Sequence, residues 1–173
     1  MKHVISLSVI FASCLLLSCQ KDVIQMEEES NNLVSAAKHN MAKDRPFKGS
    51  YSTVSEILQP APILKTRITG TGHVSQLGYS TFVALSTLDF TTQPPFQLGG
   101  TATFTAANGD EFYTSFTGTS TPAEQGMLNV AMIHTITGGT GRFQNASGSF
   151  AGQTTAFPGH SDGYIEHEGT IRY

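Results

Sequence analysis

Gly100-Thr101-Ala102-Thr103-Phe104-Thr105-Ala106-Ala107-Asn108-Gly109-Asp110-Glu111-Phe112-Tyr113-Thr114-Ser115-Phe116 is the stretch that decides the fold. Gly100, Ala102, Phe104 and Ala106 fall on one face of an extended chain, and Thr101, Thr103 and Thr105 fall on the other. Strict alternation of this kind marks a strand with one side buried and one side wet. Asn108-Gly109 supplies the positive φ that a tight hairpin needs. The return strand then places Phe112, Thr114 and Phe116 on the inner face, with Glu111, Tyr113 and Ser115 outside.

The same pattern extends in both directions. Leu128, Val130, Met132, His134 and Ile136 share a face, and Gly138-Gly139-Thr140-Gly141 ends that strand before Arg142-Phe143 opens the next segment. Ile165, His167, Ile171 and Tyr173 alternate against Glu166, Glu168, Thr170 and Arg172. Earlier strands are expected around 47–58, 63–75 and 79–90. About eight strands separated by turn residues, with no amphipathic helix between them, predict an all-β antiparallel barrel or sandwich. The barrel is preferred, because sequential hairpins close up-and-down without leaving a free edge.

Composition changes sharply ahead of this domain. All 17 glycines and all 7 prolines lie at or beyond Pro46. Residues 46–173 are the β-domain, of a size suited to one core. Residues 19–45 carry many charges and little apolar content, and read as a flexible tether. Residues 1–18 read as a signal peptide: Lys2 gives a positive start, and Val4 to Ser18 form an apolar run too short to span a bilayer. Leu16-Leu17-Ser18-Cys19 resembles the lipobox of bacterial lipoproteins, which implies cleavage before Cys19 and acylation of its thiol. Cys14 and Cys19 are the two cysteines, so the β-domain has no thiol for a disulfide, a nucleophile or a metal. The expected address is the bacterial cell envelope, anchored to the outer membrane through lipid on Cys19. Cys19-Gln20-Lys21-Asp22 is similar to surface-export signals, which leaves both periplasmic and surface exposure open. The β-domain is mildly acidic, which points away from nucleic acid.

Gly138-Gly139-Thr140-Gly141-Arg142-Phe143, followed by Ala146 and Gly148, resembles the GGTG-[KR]-[FY]-x-x-A-x-G stretch of allene oxide cyclase-like and dirigent-like proteins. The resemblance implies an eight-stranded barrel with an apolar lumen able to hold a small apolar ligand. The catalytic residues of the plant cyclases have no match here. Glu56 lies on the first strand, but no flanking motif ties it to theirs.

Other chemistry is sparse. Gly159-His160-Ser161-Asp162-Gly163 fits G-x-S-x-G, but a nucleophile elbow needs a helix after the turn, and a strand follows. The glycines at 138–141 lack the lysine and helix of a phosphate cradle, and suit a turn or bulge. In Glu166-His167-Glu168 the histidine points away from both carboxylates on a strand, which is poor geometry for a metal. No cofactor and no catalytic residue is expected. His134 and His167 each interrupt an apolar face. They are either hydrogen-bonded core histidines or polar anchors in a pocket walled by Tyr173, Phe104, Phe112 and Phe116. Three functions follow: a ligand-binding envelope barrel without catalysis, a cyclase or isomerase working in the lumen, and an interaction module without a pocket.

Overall fold

The computed structural model describes residues 43–157 and 160–173. The signal peptide expected over 1–18, Cys19 and the tether up to residue 42 lie outside the described residues.

Eight antiparallel strands close into one barrel in sequence order. They are β1 (Asp44–Gln59), β2 (Ile63–Val74), β3 (Gly78–Asp89), β4 (Phe96–Thr105), β5 (Glu111–Pro122), β6 (Leu128–Gly139), β7 (Ser147–Ala156) and β8 (Asp162–Arg172). β1 pairs with both β2 and β8, so no edge is left to recruit another chain. The barrel thus begins at Asp44, inside the stretch assigned to the tether. Pairing explains this: Asp44 faces Arg172 across the β1–β8 seam, and Arg172 Nε and Nη2 each donate to its carboxylate at 2.8 Å.

The Asn108-Gly109 hairpin sets Phe104 opposite Phe112, as the alternation predicts. Gly138-Gly139 extends β6 past a bulge at Thr137, and Arg142-Phe143 belongs to a 3-10 turn, with β7 starting only at Ser147. Gly141 forces that turn: its φ is +52°, and a Cβ there would collide with the Asp110 carboxylate.

The two ends of the barrel differ. At one end lie the turns after β2, β4 and β6, together with the start of β1 and the end of β8. There the lumen is packed with rings: Phe47, Tyr51, Phe104, Phe112, Phe143 and Phe150 are all buried. Phe104 is central, stacked on Phe112 at 4.8 Å and edge-on to Phe47 and Phe150. At the other end the inward residues shrink to Thr53 and Ser55 on β1, Thr66 on β2, Ala84 and Ser86 on β3, and Thr154 on β7. An eight-stranded barrel has a bore that large side chains just fill. Aromatic rings fill one half, and these small residues, set among aliphatic ones, leave the other half hollow.

Truncating the central ring tests this division. Phe104→Ala is expected to lower the unfolding free energy by about 3–5 kcal/mol, read by urea denaturation followed by circular dichroism. A loss below about 1 kcal/mol would mean that the plug is not close-packed.

Candidate functional site

The hollow half is a cavity of about 790 Å³. Its mouth lies among the loops after β1, β3, β5 and β7, where Pro60, Ala61, Phe90 and Phe157 contribute to the lining. The wall from β4 to β6 is apolar, formed by Leu98, Phe116, Leu128, Val130 and Met132. The wall from β1 to β3 is mixed: Ile57, Leu64, Ile68 and Leu88 alternate with the hydroxyls of Thr53, Ser55, Thr66 and Ser86. The size and the mainly apolar lining are those of a site for one small organic molecule.

His134 on β6 and His167 on β8 form the floor, between the cavity and the aromatic plug. They are 3 % and 2 % exposed, and their rings meet edge to face at 5.3 Å. Phe150 stacks on His134 at 4.7 Å, and Phe116 lies against its other side at 4.8 Å. Tyr51 meets His167 edge-on at 5.7 Å, while its own hydroxyl shares a buried hydrogen bond of 2.9 Å with Ser80 Oγ. Burial pushes the Tyr51 phenol up to about 12, so it stays protonated. Gly152 on β7 packs beside the pair, and a Cβ there would crowd Met132 Cγ first and His167 Cδ2 next.

The hydrogen bonding of the pair is incomplete. Thr114 Oγ1 lies 3.0 Å from His134 Nδ1. Among the described residues, His134 Nε2 and both ring nitrogens of His167 have no partner. A buried polar nitrogen left alone costs about 1–3 kcal/mol, so these atoms call for an explanation. Burial drives the His134 pKa down to about 3, helped by His167, and that of His167 down to about 4. Both rings are therefore neutral near pH 7 and are weak bases there.

The other expected site residues separate by position. Phe116 lines the cavity with the two histidines. Phe104 and Phe112 lie beneath them in the plug. Tyr173 sits at the closed end, against Phe143 at 4.8 Å, with its hydroxyl donating to Gln76 Oε1 at 3.2 Å. The strand alternation gave its face but not its depth. The hydroxyl wall was missed, and its signal is the run of small inward residues on β1 to β3.

The glycine-rich motif closes the packed end. Thr140 exchanges two hydrogen bonds with Glu111, through its own N–H at 2.7 Å and through its Oγ1 at 2.9 Å. Arg142 donates to the Gln76 carbonyl at 2.7 Å and lies near the Asp110 carboxylate. Phe143 inserts below, against Phe112. The segment resembling G-x-S-x-G is described from His160 onward: Ser161 Oγ donates to Asp162 Oδ1 at 3.2 Å, and β8 follows directly. Glu166 and Glu168 are exposed on β8 while His167 is buried, and no three His, Cys, Asp or Glu converge among the described residues.

Compared with protein-family models, curated proteins and solved structures, the chain matches none.

The histidines should govern the acid side of stability. An unfolded imidazole titrates near pH 6.5, whereas folded His167 holds out to about 4 and His134 to about 3. Between these values the unfolded chain binds protons that the folded chain refuses. Stability from this source is whole above about pH 6.5 and falls as the pH drops, toward 4 for His167 and toward 3 for His134, by roughly 3 kcal/mol or more for each histidine. Urea midpoints should decline over this window in the wild type. The double variant His134→Phe/His167→Phe should show a flatter profile and at least wild-type stability at pH 7, because it removes the unpartnered nitrogens. An unchanged acid slope in the double variant would refute the assignment.

Proposed function

We propose that this protein is a lipid-anchored envelope barrel that holds a small apolar molecule in its lumen and performs no chemistry on it. The observation that carries this reading is the half-hollow bore, floored by two neutral imidazoles with free ring nitrogens. A preformed apolar cavity with a few polar groups at its base suits orientation of a ligand. Catalysis in the lumen would call for a base poised near the working pH. Imidazoles held at about 3 and about 4 are poorly suited to that task. The glycine-rich closure supports a barrel of the allene oxide cyclase-like and dirigent-like kind, whose lumens are apolar. The lipobox-like residues ending at Cys19 support the anchor.

Native mass spectrometry of protein purified from its own host should reveal a retained small molecule. The variant Ala84→Phe, which puts a ring into the cavity, should lose it. Wild type and Ala84→Phe each appearing at its own ligand-free mass would count against a bound ligand. Cys19→Ala should move the protein from the membrane to the soluble fraction and abolish palmitate labelling. Continued labelling in that variant would remove the anchor from the proposal.

A further inference from the structure

The chemistry of the cavity narrows the ligand class, on the premise that the lumen binds a ligand at all. Among the described residues, no lysine or arginine lines the cavity, and its one carboxylate, Asp162, stands near the mouth. An anionic end carried to the floor would leave water without meeting a cation, and ions buried unpaired are strongly disfavoured. A cationic end would meet no carboxylate at the floor. A wholly apolar end would leave His134 Nε2 and both nitrogens of His167 as unsatisfied as they are now.

What the floor offers is neutral hydrogen bonding of both kinds. Each neutral imidazole has one N–H donor and one bare acceptor nitrogen. One nitrogen of His134 is engaged by Thr114, which leaves a single free site on that ring, while His167 has one of each. Above the floor, the hydroxyls of Thr53, Ser55, Thr66 and Ser86 lie on one side of the cavity, and Leu98, Val130 and Met132 lie on the other. This asymmetry suits a molecule with an oxygenated edge.

We propose that the lumen selects an uncharged apolar molecule whose buried end carries a hydroxyl, carbonyl or amide, hydrogen-bonded by the free ring nitrogens of His134 and His167. Its class is the neutral oxygenated lipid rather than the fatty acid. The depressed basicity of both rings agrees with this, since neither supplies a positive charge at neutral pH.

A matched ligand series tests the selection. Full-chain Cys19→Ala protein, which carries no acyl group of its own, is loaded with the neutral dye Nile red. Dodecanol, dodecanamide, dodecanoate and dodecane then compete for the lumen at pH 7.5. The alcohol and the amide should displace the dye at concentrations about tenfold below those of the carboxylate and the alkane, the factor expected for one net hydrogen bond. His134→Phe/His167→Phe should bind the dye but lose the preference for alcohol over alkane. His167→Gln, which restores a donor and an acceptor, should keep it. Dodecanoate competing as well as dodecanol would overturn the neutral-end selection while leaving a ligand-binding lumen intact. Equal competition by alcohol and alkane would do the same. Failure of the dye and of every competitor to bind would overturn the lumen reading itself.

Discussion

The bore of an eight-stranded barrel is set by strand number and tilt, so the sizes of the inward side chains decide whether it is a core or a container. This protein is both, in series. Phenylalanines and a tyrosine fill one half, and threonine, serine and alanine set among aliphatic side chains line the other. The plug therefore has two tasks: it supplies most of the aromatic burial that holds the strands together, and it gives the cavity a floor. His134 and His167 stand at the boundary, with rings that pack like the aromatics below them and three ring nitrogens that have no partner among the described residues.

Much of the fold was legible because a strand writes its inner and outer faces in alternate residues. The stretch from Gly100 to Phe116 contained two strands, their turn and the cross-strand pairing of Phe104 with Phe112. Closure was also inferable, since sequential hairpins without helices have few other ways to hide their edges. Two details were not readable. The strand that starts at Asp44 gains its first residues from a partner more than a hundred positions away, and nothing local marks that pairing. The turn at Gly141–Phe143 depends on the Asp110 carboxylate from a different hairpin.

The site was half legible. Alternation identified His134 and His167 as inward-facing polar residues on apolar strands. It could not give their depth along the barrel, which depends on the register between strands. Tyr173 shares the inner face of His167 on the sequence, yet lies at the opposite end from the cavity. The hydroxyl wall escaped for a related reason: serine and threonine are common on both faces of these strands, and only the assembled barrel separates the inward set. The incomplete hydrogen bonding of the histidines is visible only in three dimensions.

The polarity of the barrel also has a practical consequence. β1 begins and β8 ends at the packed end, away from the mouth. The loops around the mouth answer to the cavity, while the turns at the far end, tied together by Thr140, Arg142 and Asp110, answer to stability. Such a division separates what must stay constant from what is free to vary. The scaffold is therefore modular along its axis: the mouth loops can be exchanged without touching the residues that tie the packed end together.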